Sequence, residues 1–197
     1  MGKLDEFVLK DKISAKLCEK ACADLKTLGR SARIVKEYRV EEKVGINSDE
    51  VAKGHLIEIR NSPISWINII WRWPFGSVMV SSVSQESPFI FAYLIANPSL
   101  KYSKREYAAI KPVRLRSFPL VGPVSGIQWK GVYADDIIQR LKTDIIICQF
   151  LMTVWPKIKI LCYPDHGYWA ITEEGLSRPK LARGKWECYR RIAKYLL

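Results

Sequence analysis

Apolar positions recur at helical spacing near the start of the chain: Ala15, Leu17, Cys18, Ala21, Cys22, Leu25 and Leu28 form one stripe, with Lys16 and Lys20 outside it. The stripe predicts a helix from Asp11 to Leu28, capped by Asp11 and ended by Gly29. From Arg33 to Val44, the residues Ile34, Tyr38, Val40 and Val44 are spaced among charges, which suits a half-exposed strand, with a helix as the alternative; a turn follows at Gly45 to Asp49. His55 to Arg60, Trp66 to Trp73, Ser77 to Val83 and Phe89 to Ile95 are rich in β-branched and aromatic residues. Turn residues at Asn61 to Pro63, Pro74 to Gly76 and Asn97-Pro98 separate or close these runs, so they are expected to pair as antiparallel neighbours.

Lys111 to Phe118 sets Val113 and Leu115 against Arg114 and Arg116, one face apolar and the other basic. Pro119, Gly122 and Pro123 then mark a break, dividing an α+β sheet part (1–120) from a closely packed C-terminal part (121–197). In the second part, Ala134 to Lys142 reads as an amphipathic helix and Ile145 to Val154 as either a helix or a buried strand. Lys157 to Tyr163 and Tyr168 to Thr172 alternate like a hairpin around Pro164 to Gly167. A last helix runs from about Leu181, with Trp186, Tyr189, Ala193, Leu196 and Leu197 on one side and Arg183, Arg190, Arg191 and Lys194 on another. The expected fold class is α+β: a mainly antiparallel sheet on an N-terminal helix, with a C-terminal helix-hairpin-helix region.

Two phrases in the C-terminal third carry a family resemblance. The run from Ala134 to Leu141 resembles the second helix of winged helix-turn-helix domains, and Gly167 to Leu176 resembles their wing strand leading into a final helix. The resemblance implies that Ile145 to Val154 is a recognition helix and that the hairpin at Asp165 to Gly167 flanks a duplex. The residues themselves favour a buried element instead, because base edges are read by Arg, Lys, Asn or Gln and this segment offers little beyond Gln149 and Thr153. Thr172 followed by acidic residues also suits an ordinary helix start.

Charge adds a partner class. The chain has 32 Lys and Arg against 20 Asp and Glu, a net charge of +12, while 61–100 contain only Arg72 and Glu86. Such an excess, not confined to a tail, favours an anionic partner. The basic residues gather as Lys111, Arg114 and Arg116 on one strand face, and as Lys157, Lys159, Arg178, Lys180, Arg183, Lys185, Arg190, Arg191 and Lys194 near the end. Phosphate contacts from these groups, with Trp129, Trp169 or Tyr189 available for stacking, make nucleic acid the leading partner. Replacing Arg190 and Arg191 by Glu is then expected to weaken binding to every sequence.

The alternative is a small-molecule or lipid carrier whose pocket is lined by Trp66, Trp71, Trp73, Phe89, Phe91 and Tyr93, drawn to anionic membrane surfaces by its charge. The charge-free runs are too short to span a bilayer, and Asp5 and Glu6 interrupt any secretory signal, so a cytoplasmic protein is expected. Sheet pairing between two copies is a further expectation.

Catalytic signatures are sparse. Cys18, Cys22, Cys148, Cys162 and Cys188 contain no C-x-x-C pair, and reduced thiols, with Cys18 and Cys22 in a core, are the plain reading. Cys162, Asp165 and His166 make the only compact group of nucleophile, acid and base; Asp165 is explained more simply by turn chemistry. Gly122 to Gly126 lacks the Lys and Ser or Thr of a phosphate loop, and Ser177 to Lys180 lacks the companion motifs of acyl enzymes. No cofactor or metal site is called for, and a non-enzymatic binding protein is expected.

Overall fold

A computed structural model describes residues 3–35, 54–71, 89–102, 109–117, 122–131, 135–154, 157–174 and 181–197. The stripe of small and apolar residues places α1 (Lys3–Thr27) against β1 (Ala32–Val35), β2 (Gly54–Ile59) and β3 (Trp66–Trp71). Cys18, Ala21, Cys22 and Leu25 face the core, whereas Lys16 and Lys20 are exposed, as the periodicity predicts. Asp11 lies inside this helix rather than at its start. The end matches expectation: Gly29 takes φ 72°, its N–H bonds to Lys26 O at 2.9 Å, and Arg30 N–H reaches Leu25 O at 2.9 Å.

β4 (Phe89–Ala96), β5 (Ala109–Arg116), β6 (Val124–Gly131), β7 (Lys157–Tyr163) and β8 (Tyr168–Glu174) complete one eight-stranded sheet in the order β1-β2-β3-β4-β8-β7-β5-β6. Every pairing is antiparallel, and the sheet runs unbroken from the 1–120 part into the 121–197 part. The break residues lie in the connection between β5 and β6: β6 begins at Val124, directly after Pro123, and pairs with β5 across an irregularity at Leu115/Arg116. The expected strand at Ser77 to Val83, and most of that at Arg33 to Val44, lie outside the described residues.

Alternation gives the sheet two faces. On the inner face Ile57, Ile67, Tyr93, Ile171, Ile160 and Ile110 sit in one core with residues of all four helices: α1, α2 (Asp135–Thr143), α3 (Ile145–Val154) and α4 (Arg183–Tyr195). On the outer face Ile90, Ala92, Leu94 and Ala170 make a smaller buried cluster, edged by Trp66 and Tyr163. The β7–β8 hairpin is therefore interior to the sheet, between β4 and β5, and does not form a separate helix-hairpin-helix unit. Thr172 and Glu173 belong to β8, not to a helix start.

Ile145 to Val154 is helical, and it is not the buried element expected from its apolarity. Ile147 and Leu151 point inward, while Ile145, Ile146 and Val154 are exposed. Asp144 alone separates α2 from α3 and caps the latter, its Oδ1 accepting from Ile146 N–H at 3.0 Å and Ile147 N–H at 3.1 Å. The other end has no basic residue of its own, and Arg114 of β5 supplies one: its Nη2 donates to Leu151 O at 3.3 Å and Met152 O at 2.8 Å. Arg114→Met is expected to lower unfolding stability by about 1–2 kcal/mol, read from the urea midpoint at constant m-value. An unchanged midpoint would show that water caps α3 equally well.

Among the described residues no helix is long and apolar enough to cross a membrane.

Candidate nucleic-acid interface

The basic residues divide by the face that strand parity gives them. Lys111 stands opposite Lys130 across β5 and β6. Ala109 faces Leu161 and Ile110 faces Ile160 across β5 and β7, and the same register carried one residue further sets Lys111 beside Lys159. Lys130, Lys111 and Lys159 thus form a row across three adjacent strands, all exposed, on the outer face. At about 4.8 Å between strands the row spans about 10 Å. Lys159 carbonyl accepts from Thr172 Oγ1 at 3.2 Å, which ties the row to β8. Lys157 holds the next outward register position, opposite Glu174; its side chain lies outside the description.

The sequence pattern places Lys111, Arg114 and Arg116 on one face, but the register separates Lys111 from Arg114. Alternation turns Arg114 to the inner face, beneath α3, where burial and then the Arg116 charge lower the pKa of its guanidinium. Arg116 donates from Nη1 to Gly122 O at 3.2 Å.

The expected basic side of α4 is largely spent within the fold. Lys185 is buried and donates to Glu173 Oε1 at 2.6 Å. Arg190 holds Glu187 through two hydrogen bonds, Nε to Oε2 at 3.0 Å and Nη2 to Oε1 at 2.9 Å. Arg191 Nε donates to Asp144 Oδ2 at 2.9 Å, and Tyr195 hydroxyl donates to the same oxygen at 2.8 Å. Arg183 and Lys194 remain exposed, and Arg178 and Lys180 lie outside the described residues. Leu197, expected on the apolar side of the last helix, is 64% exposed.

Aromatic placement also departs from the sequence reading. Trp129, Trp169 and Tyr189 are buried in the inner core, so none presents a ring for stacking. Two unforeseen residues do share a face with the lysine row: Tyr163 and Tyr168 are cross-strand partners at the hairpin end of β7 and β8, both half-buried. The rings of Trp66 and Tyr168 meet edge to face, their centroids 5.6 Å apart at an interplanar angle of 87°. Trp66 is thereby on the outer face, while Phe91 and Tyr93 are buried on the inner one, and these three do not line one pocket wall. The side chains of Trp71 and Phe89, and all of Trp73, lie outside the description.

Glu173, Lys185, Tyr93 and Tyr189 form a second polar group, under α4. Tyr93 hydroxyl donates to Glu173 Oε2 at 3.5 Å, and the two tyrosine rings meet edge-on at 4.7 Å. Burial, then the Glu173 charge, pushes both hydroxyls well above the usual tyrosine range. The ion pair keeps only 9% and 10% of its side-chain surface. A lysine, a carboxylate and two phenols have acid–base chemistry, but at this burial they clamp β8 to α4.

Cys162 is buried on the inner face while His166 is exposed in the turn, so the thiol and imidazole do not converge; the Asp165 side chain lies outside the description. Cys18 and Cys22 are core residues, and burial pushes the Cys18 thiol up to about 12. Among the described residues no three His, Cys, Asp or Glu side chains are grouped to hold a metal ion. Comparison with protein-family models, curated proteins and solved structures gives no match, so the winged-helix resemblance gains no relative to support it.

Proposed function

We propose that this chain is a non-enzymatic nucleic-acid-binding protein that contacts phosphates through Lys130, Lys111 and Lys159 on the outer face of its sheet. The supporting observation is the register itself. Like charges directly opposite on neighbouring strands destabilise a sheet, yet Lys111 and Lys130 stand opposite each other across β5 and β6, both exposed. An anionic polymer lying across β6, β5 and β7 relieves that repulsion, and the chain's net charge of +12 draws the polymer in. Contacts of this kind position a backbone without reading sequence.

The test is fluorescence anisotropy of labelled oligonucleotides at low salt. Lys111→Glu with Lys130→Glu is expected to weaken binding about tenfold or more, uniformly across sequences. Arg183→Glu with Lys194→Glu makes the same charge change on exposed positions of α4 and is expected to weaken it less than about threefold. A silent strand variant beside a damaging helix variant would move the interface to α4. Absence of binding, with retention on anionic vesicles, would replace nucleic acid by a membrane surface.

A further inference from the structure

The lysine row does not stand alone on the outer face. Tyr163 lies on β7 four residues from Lys159, with Leu161 between them on the same face, which places the two Cα atoms about 13 Å apart. Tyr168 lies opposite Tyr163 on β8 and is steadied by its T-shaped contact with Trp66. Cations and half-buried aromatic rings thus occupy one face of one sheet whose other face carries the helices.

These groups have different uses toward a duplex and toward a single strand. In a duplex every internal base is stacked and paired, so a tyrosine on a sheet surface finds no free base face; only the lysines gain a contact. A single strand can splay its bases onto aromatic side chains while its phosphates follow a positively charged track. We infer that the polymer held by this surface is single-stranded, with unstacked bases on Tyr163 and Tyr168 and the backbone running over Lys159 toward Lys111 and Lys130. This inference rests on the reading of the lysine row as a phosphate track and adds to it the class of polymer. Stacking is tolerant of base identity, so pyrimidine and purine strands bind comparably, and a ribose and a deoxyribose backbone present the same phosphates and base faces.

The experiment pairs two probes with two variants, using the full chain. Labelled single strands of about twelve nucleotides, DNA and RNA, and a DNA duplex of equal length are titrated against wild type, Tyr163→Leu/Tyr168→Leu and Tyr163→Phe/Tyr168→Phe. Wild type is expected to bind either single strand at least tenfold more tightly than the duplex. The Leu variant is expected to lose about tenfold on single strands with its duplex affinity unchanged, and the Phe variant, which keeps both rings, to match wild type. Thermal melting of each variant identifies any loss of fold, and the Phe pair keeps the test decisive if the Leu pair is unfolded: a Phe variant with weakened single-strand binding overturns the stacking role. Equal affinity of wild type for duplex and single strand overturns the inference and leaves the phosphate track standing. Failure of both probes to bind at low salt overturns the track, and the inference with it.

Discussion

Lys185→Met is expected to lower unfolding stability by about 3–5 kcal/mol, because it leaves the Glu173 carboxylate buried without its counter-charge. Lys185 Nζ and Glu173 Oε1 are 2.6 Å apart, each side chain no more than 10% exposed, and the next polar group, Tyr93 hydroxyl, is 3.5 Å from the other carboxylate oxygen. That hydroxyl cannot replace an ammonium. Glu173→Gln alone strands the lysine instead and is expected to cost a similar amount. The double variant, Lys185→Met with Glu173→Gln, removes both charges and keeps an acceptor for Tyr93, so it is expected to recover most of the loss, with a coupling of about 2–3 kcal/mol in a double-mutant cycle. Urea unfolding at pH 7 reads all three. A Lys185→Met variant within about 1 kcal/mol of wild type would mean that water reaches the pair and that the clamp between β8 and α4 is held by Trp186, Tyr189 and Ile192 alone.

Asp144→Ala is expected to cost about 2–4 kcal/mol, the second large effect, since one carboxylate does two jobs. Its Oδ1 caps α3 and its Oδ2 gathers Arg191 and Tyr195 from α4. Losing the cap accounts for about 1 kcal/mol, and the rest comes from the unpaired arginine and phenol. Burial alone would raise the Asp144 pKa, but the Ile147 N–H, the Tyr195 hydroxyl and the Arg191 guanidinium together hold it below the ordinary carboxylate value. A depressed carboxylate contributes stability that is fully present above its unfolded value, about 4, and lost as pH falls through its lower folded value. The gap between wild type and Asp144→Asn, in which the amide mimics the protonated acid, is therefore expected to be widest near pH 7 and to shrink below about pH 4. A gap independent of pH would assign the whole effect to the shape of the cap.

The same interactions explain why the expected binding surface changed place. Periodicity separated the apolar and charged sides of α4 well, because a helix repeats locally: Trp186, Tyr189, Ala193 and Leu196 are all buried. It could not show that Asp144, from 47 residues away, meets Arg191, or that Glu173 of β8 turns Lys185 inward. Those partners are set by tertiary packing. Because Arg190 and Arg191 are engaged in the fold, Arg190→Glu or Arg191→Glu reports on stability before it reports on binding.

Strands are legible where β-branched and aromatic residues together dominate, as in Trp66 to Trp71 and Phe89 to Ala96. They are lost where turn chemistry masks them. Pro119, Gly122 and Pro123 mark a break, and the glycines at 126 and 131 obscure the alternation of β6 directly after it, which hides the register position of Lys130. At Lys157 to Tyr163 the alternation is plain in the sequence. Counting by two from Lys159 reaches Tyr163, and that parity was the available signal for a cation and an aromatic ring on one face. Which residue of β5 joins them depends on the register between strands separated by two helices, which parity alone does not supply.

The most direct measurement is the slope of log affinity against log salt for a short single strand, taken for wild type and for Lys111→Glu with Lys130→Glu. Each lysine on a single-strand phosphate contributes about 0.7 to that slope, so loss of two contacts is expected to flatten it by about 1.4, alongside weaker binding at every salt concentration. An equal slope in the two proteins would contradict the assignment of the lysine row as the phosphate-contacting surface.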